Sequence, residues 1–275
     1  MLQNFKKNGY HIEKNIFPKK LQNDIFFVFY DIAHSLIKRN NIVLDFKLIP
    51  TSKVKYPKNI NDLDNLLISI LKFDNKLIGE LYDTVSYCSS FFKVLSEPKI
   101  LDITKKILNL KSYNPIYSWT HRIRVDPPRD QRRTYGWHQE IFYTIPKTRF
   151  IQTWFPIIRN ATEENGTIEI CPKSHVKGIV KQKWKEEDDK ATQIIVDQKI
   201  VDKYKQIKLE MKLGDVLFFD PHLFHRSGYN STAKDVRYSL VGMWNDTTNK
   251  NFIVPKPKFE TRTISSKEYF KKIMK

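Results

Sequence analysis

The chain has 275 residues, 40% of them hydrophobic and 13% aromatic, which suits one large domain or two small ones with a sizeable core and excludes a disordered chain. Its net charge of +18 raises the question of a polyanionic partner, but the lysines are spread along the whole chain among abundant Asn and Ile, as an AT-rich coding bias would place them. No apolar run approaches the roughly 20 residues of a membrane span, the opening MLQNFKKNGYHIEK lacks the apolar core of a secretory signal, and Cys88 and Cys171 offer neither a zinc spacing nor a disulfide framework.

These bounds describe a cytoplasmic protein whose two cysteines are ordinary buried thiols. No membrane partner is expected. Without a basic stripe interleaved with aromatics or a known nucleic-acid module, a nucleic-acid partner is disfavoured too, and nothing in the sequence sets an oligomeric state.

The first 110 residues predict helices. PKKLQNDIFFVFYDIAHSLIKRN and NINDLDNLLISILKFDNKLIGELYDTVSYCSSFFKVL carry apolar residues at intervals of three and four, and EPKILDITKKILNL follows. From about residue 113 the texture changes to short runs divided by Gly, Pro and Asn turns: YSWTHRIRV, RFIQTWFPII, GTIEIC, TQIIV, DVLFFD and VRYSLVGMW. Helices followed by many short strands predict an α+β fold, a double-stranded β-helix or jelly-roll core with the N-terminal helices packed on one face. We read residues 1–275 as one domain: a mainly helical part at 1–112, the jelly-roll core at 113–250 and a C-terminal extension at 251–275. The closing SSKEYFKKIMK suits a short helix capped by Ser265 or Ser266.

The chemistry concentrates in YGWHQEIFY, residues 135–143, where His138 and Glu140 stand two positions apart. On an extended strand such residues point to the same side. An isolated His-x-Glu is more often a solvated ion pair than a metal site, so a third ligand is needed. Two histidines and one carboxylate on a rigid scaffold form the facial triad that holds a non-haem Fe(II) with three positions open. The stretch GDVLFFDPHLFHRSGYNSTAKDVRYSLVGMW offers His222 and His225. In LFHRS, Leu223, His225 and Ser227 share a face; in DVRYSLVGMW, Arg237, Ser239 and Val241 do. Antiparallel pairing of these two pieces would set Arg237 beside Ser227 and His225, where its planar fork suits a carboxylate better than lysine does.

With these residues in view, the chain resembles the phytanoyl-CoA dioxygenase family of Fe(II)- and 2-oxoglutarate-dependent oxygenases. WHQE is similar to the family's His-x-acid ligand pair, EENGTIEICPKSHVKG to a later Gly and Ser-His stretch, and HRSGYN followed by Arg237 to its distal His, Ser-Gly-x-Asn and Arg. FKKNGYHIEKNIFPKKL is similar to the family's opening strand and helix. The resemblance covers most of the chain.

The resemblance implies that His138, Glu140 and His225 bind iron, which favours His225 over His222. Arg237 would then pair with the distal carboxylate of 2-oxoglutarate, Ser227 would hydrogen-bond the same end, and Trp154 and Arg122 would also contact this cosubstrate. Weaker substrate-binding expectations fall on Arg124, Arg133, Gln139 and Tyr143. Catalysis would belong to the iron centre with O2, no separate acid or base being assigned. The implied reaction hydroxylates a small molecule, with the basic residues favouring an anionic one, and releases succinate and CO2. The same cofactors could instead drive desaturation, cyclisation or epimerisation, and a reading from another class is a non-catalytic basic binding protein. Glu140 departs from the family's usual Asp by one methylene. Halogenases of this fold have a small residue there, so a retained carboxylate argues for hydroxylation. His175 reads as structural, and His11, His34 and His121 as ordinary surface or half-buried histidines.

Overall fold

A computed structural model describes residues 1–131, 134–143, 148–186 and 192–254. The C-terminal helix expected around Ser265 and Ser266 lies outside the described residues, as does Arg133.

Six helices precede the main strands, interrupted by one short strand: α1 (Leu2–Asn8), β1 (Tyr10–Glu13), α2 (Lys19–Arg39), α3 (Ile60–Phe73), α4 (Lys76–Ser86), α5 (Ser89–Leu95) and α6 (Pro98–Ile107). The apolar spacing explains them. In α3, Leu63, Leu66, Leu67 and Ile70 recur at three and four residues and are fully buried. The long apolar segment after residue 59 is three helices because local polar groups break it. At the first break the Asp74 carboxylate accepts from the Lys76 N–H at 2.9 Å and so begins α4. Pro98 occupies the first turn of α6, where a missing N–H costs nothing, and Glu97 caps it.

The remaining strands are β2 (Ile116–Asp126), β3 (Phe150–Pro156), β4 (Ile168–Ile170), β5 (Gln182–Lys185), β6 (Gln193–Val196), β7 (Ile207–Lys208), β8 (Val216–Phe219), β9 (His225–Ser227) and β10 (Arg237–Asp246). They form a five-stranded antiparallel sheet in the order β1-β8-β3-β10-β2, a three-stranded sheet β7-β4-β9 and a hairpin β5-β6.

The period-two alternation of strands sorts the side chains of the large sheet between two cores. Phe155, Phe218, Leu240, Tyr238 and Trp244 share one apolar cluster with the helices. Trp154, Leu217, Phe219 and Val241 face the other way and pack with Ile168 and Ile170 of the small sheet. The result is a sheet-on-sheet sandwich with a helical layer on the outer face of the larger sheet. The expected helical part is not independent of the strand part, because β1 pairs with β8 as an edge of the large sheet. Among the described residues no helix is long and apolar enough to cross a membrane.

Two expectations need correction. β9 and β10 do not pair: β9 joins β4 in the small sheet, whereas β10 lies between β2 and β3 in the large one. Cys171 is buried, its thiol pushed up to about 12 by burial, but Cys88 is only half-buried.

Candidate metal centre and cavity

His138 and His225 meet at an isolated antiparallel bridge. The segment carrying His138 and Glu140 is not a regular strand. Gln139 is extended, at φ −114° and ψ 138°, and Glu140 opens a short 3-10 turn, Glu140–Phe142. The single extended residue between them suffices to aim both side chains the same way. The Glu140 N–H donates to the Pro221 carbonyl at 3.0 Å, which anchors this turn to the segment leading into β9.

One carboxylate oxygen, Glu140 Oε2, lies 3.5 Å from His138 Nε2 and 3.4 Å from His225 Nε2. All three side chains are buried, with one potential ligand atom from each lying within 4.8 Å of the others. The opposite face of each imidazole is committed. Nδ1 of His138 faces the Gly136 carbonyl at 2.7 Å, and Nδ1 of His225 faces the Leu223 carbonyl at 2.9 Å. A carbonyl only accepts, so each Nδ1 carries a proton, which leaves Nε2 as the atom each ring can offer to a metal. Burial, then the neighbouring His138, lowers the affinity of His225 for a second proton. Burial alone would raise the Glu140 carboxyl, but the two imidazoles prevail and hold it well below the usual carboxylate range. Two imidazoles and one carboxylate, fixed from behind by backbone carbonyls, fit a divalent transition metal with open positions.

The triad opens on a cavity of about 620 Å³. Trp154, Phe219, Ile168, Val241 and Met243 give it an apolar interior between the sheets, and Phe219 packs edge-on to His225 at 4.9 Å between ring centroids. Arg237, Ser227, Arg124, Arg122 and Tyr143 also line it. Arg237 reaches this space from β10 across the sandwich, which preserves its proximity to Ser227 although their strands are in different sheets. Arg237 Nη1 lies 3.5 Å from the Gly228 carbonyl, next to Ser227.

The two strand arginines occupy different parts of the wall. Arg124 is beside Arg237, the two sharing the Asp126 carboxylate: Nη2 of Arg124 is 2.7 Å from Oδ1, and Nη2 of Arg237 is 2.7 Å from Oδ2. Arg122, two residues earlier on β2, is exposed, and among the described residues its side chain makes no hydrogen bond or ion pair. Arg124, expected nearer substrate, is thus the closer of the two to Arg237, and Arg122, expected at the cosubstrate, is the farther.

Gln139, expected near substrate, is fully buried and is not among the residues lining the cavity. Its amide nitrogen donates to the Gly178 and His222 carbonyls, both at 2.8 Å, and its oxygen accepts from the Val180 N–H and Gln182 Nε2. It points away from the two ligands beside it and ties their loop to the neighbouring backbone. Tyr143 does reach the cavity, and its hydroxyl accepts from the Ile194 N–H at 2.9 Å. His222 turns instead to Asp220, Nδ1 to Oδ1 being 2.9 Å, and His175 Nε2 donates to the Lys6 carbonyl.

Asp126, His121, Gln152 and the α4 residues Asn75, Tyr82, Asp83 and Ser86 were not singled out by the sequence as site residues. All but Asp126 line the cavity. Burial lowers His121 to about 4, leaving it neutral at ordinary pH. The Gln152 side-chain oxygen is buried in this wall with no hydrogen-bond partner among the described residues. Asp126 was legible in part, because it continues the alternation of Arg122 and Arg124 along β2. The α4 residues carried no such signal, since their approach to β2 depends on long-range packing.

Comparison with known proteins agrees with this arrangement. A probable phytanoyl-CoA dioxygenase of Caenorhabditis elegans is 26% identical over 236 residues, covering 83% of this chain and 69% of that protein. Among solved structures, AviO1 from Streptomyces viridochromogenes Tue57 is similar with a TM-score of 0.52 and 16% identity, covering 93% of this chain and 96% of that one. The epimerase SnoN, in a complex with Fe3+, alpha ketoglutarate and nogalamycin RO, is similar with a TM-score of 0.56 and 11% identity, covering 96% and 91%. At such identities the structural likenesses concern the fold. The sequence model of the phytanoyl-CoA dioxygenase family matches residues 73–238, a span that holds α4, the three candidate ligands and Arg237, and the chain belongs to this family of iron- and 2-oxoglutarate-dependent oxygenases.

Proposed function

We propose that this protein is an Fe(II)- and 2-oxoglutarate-dependent dioxygenase that hydroxylates a small anionic metabolite and releases succinate and CO2. The observation that carries this reading is the placement, in one cavity, of a two-histidine, one-carboxylate cluster and a buried arginine with a usable edge. Asp126 occupies the Nε–Nη2 side of Arg237, while Nη1 has only the long contact to the Gly228 carbonyl.

His138, Glu140 and His225 would hold the iron. The metal, when bound, supplies the dioxygen chemistry that couples oxidative decarboxylation of 2-oxoglutarate to substrate oxidation. Arg237 would take the distal carboxylate of 2-oxoglutarate with charge-assisted hydrogen bonds, and Ser227 would add a hydroxyl at the same end. Trp154 would pack against the cosubstrate, and the apolar interior would limit water near the metal. Arg122, an exposed cation at the rim, would meet an acidic group on the substrate, with Tyr143 beside the ligands closing that side.

The sandwich is read as a jelly roll within a single domain, and the unpaired cysteines suit a cytoplasmic setting. The same site would also serve desaturation, cyclisation or epimerisation. Two structural neighbours, the carbocyclase SnoK and the epimerase SnoN, bear such names on this fold.

The test is succinate formation from 2-oxoglutarate by purified protein supplied with Fe(II) and O2, first alone and then with a panel of small acids and their amides. Iron-dependent succinate, stimulated by an acid that emerges 16 mass units heavier, supports hydroxylation; loss of two mass units points to desaturation or ring closure. Absence of iron-dependent succinate under every condition would favour the non-catalytic binding reading.

A further inference from the structure

We infer that Asp126 is a positioning residue that sets the reach of Arg237 and thereby the chain length of the 2-oxo diacid the cavity accepts, an inference that rests on the cosubstrate reading above. It sets a formal negative charge behind Arg124 and Arg237, which line the end of the cavity proposed to receive an anion, where an acid is at first sight out of place. Its contacts resolve the contradiction. Arg124 grips the carboxylate with two groups, Nη2 to Oδ1 at 2.7 Å and Nε to Oδ2 at 3.3 Å. Arg237 grips Oδ2 from the other side, through Nη2 at 2.7 Å and Nε at 3.3 Å.

The same residue is fixed through its backbone. Its carbonyl accepts from Asn230 Nδ2 at 2.9 Å, and that amide also donates to the Asp235 carbonyl at 2.8 Å. Asp126 and Arg237 are moreover partners in the register of β2 and β10. The carboxylate is therefore held by two guanidiniums, a strand pairing and an asparagine that bridges the segment between β9 and β10. Burial opposes its ionisation, but Arg124 and Arg237 prevail and keep it well below the usual carboxylate range.

Two neighbouring guanidiniums, one buried and one half-buried, repel each other unless an anion lies between them. With Asp126 in place the three side chains sum to a single positive charge, matching the single carboxylate at the far end of a dicarboxylate. The two contacts to Asp126 Oδ2 meanwhile hold the Arg237 side chain in one orientation. Its remaining edge then stands at a fixed distance from the metal triad, and that distance selects the number of methylenes.

Electrostatics alone predicts the opposite sign. If Asp126 acted only through its charge, Asp126→Asn would raise the local positive charge and tighten binding of a dianion. If it positions Arg237, the same change weakens binding.

The experiment is calorimetric titration of full-length, Zn(II)-loaded protein with oxaloacetate, 2-oxoglutarate and 2-oxoadipate, which reads binding without turnover. Asp126→Asn is expected to weaken 2-oxoglutarate by roughly tenfold, the scale of one charge-assisted hydrogen bond, and to narrow the preference among the three acids. Asp126→Glu keeps the charge and provides a second variant should the first fail to fold. It is expected to shift or flatten the length preference. Binding that is unchanged or tighter in Asp126→Asn, or a preserved length preference in Asp126→Glu, would overturn the inference. Failure of the wild-type protein to bind any of the acids would instead remove the cosubstrate reading itself.

Discussion

The backbones of His138 and His225 are bonded to each other: the N–H of His138 donates to the carbonyl of His225 at 3.0 Å, and the N–H of His225 returns the bond at 3.2 Å. This reciprocal pair belongs to an antiparallel bridge, and the ring centroids stand only 4.1 Å apart. The separation between the two candidate ligands is thus set by main-chain geometry before any metal arrives. Preorganisation of this kind lowers the cost of bringing the three donors together.

Removing either imidazole should therefore remove the site without unfolding the protein. His138→Ala and His225→Ala are expected to lose Fe(II) affinity by more than the roughly 10–100-fold that a missing outer-sphere partner costs. Anaerobic metal titration checks this. Retention of near wild-type affinity by either variant would take that residue out of the ligand set.

Arg237→Ala should act on the cosubstrate. Loss of a charge-assisted pair is expected to raise the 2-oxoglutarate concentration needed for half-maximal succinate formation by roughly 10–100-fold, with metal affinity kept. An unchanged requirement would end the anchoring role.

Two glycines explain why the Glu-Asn-Gly and Ser-Gly stretches appear in the sequence together. A Cβ on Gly228 would come within 2.3 Å of the Thr167 carbonyl oxygen, and one on Gly166, whose φ is +85°, within 2.7 Å of the Gly228 carbonyl oxygen. The two backbones touch beneath Arg237. Gly228→Ala is expected to cost about 1–3 kcal/mol by overpacking and to weaken 2-oxoglutarate binding as well. Urea unfolding alongside calorimetry tests both effects.

A second buried cluster predicts a pH dependence of stability. Asp64 on α3 is ion-paired with Arg159 and accepts a hydrogen bond from the Tyr238 hydroxyl at 2.5 Å, next to Arg237 on β10. Burial outweighs Arg159 and raises the Asp64 carboxyl to about 7. An acid raised on folding stabilises fully below its unfolded pKa, near 4, and loses that contribution as pH rises towards 7. Wild-type stability in urea should fall between about pH 4 and 7 through this group, and Asp64→Asn, which keeps an acceptor for Tyr238, should flatten the slope. Equal slopes in the two proteins would contradict the assignment.

How far the sequence shows the site depends on the range of the interactions involved. The helices were readable because their signal is local: Leu63, Leu66, Leu67 and Ile70 mark one buried stripe of α3. His138, Glu140 and His225 were readable because donor type and local spacing restrict them. The division of β9 and β10 between two sheets was not, since strand pairing is decided by partners far away in the chain, and β9 found Ile168 and Ile170 rather than its sequence neighbour. The strand β5 escaped notice because Lys183, Trp184 and Lys185 are exposed and leave no alternation of burial to read. Asp126 shares a strand face with Arg122 and Arg124, but its role depends on its register with Arg237, which lies far away in the chain.

The most direct measurement is the visible charge-transfer band that forms when Fe(II) and 2-oxoglutarate are bound together, recorded anaerobically on the wild-type protein and on Glu140→Ala and Arg237→Ala. A band in the wild type, lost in Glu140→Ala and requiring much more 2-oxoglutarate in Arg237→Ala, is the expected result. Iron binding without the band, or a band indifferent to both substitutions, would contradict the proposal that this cluster and this arginine form one oxygenase site.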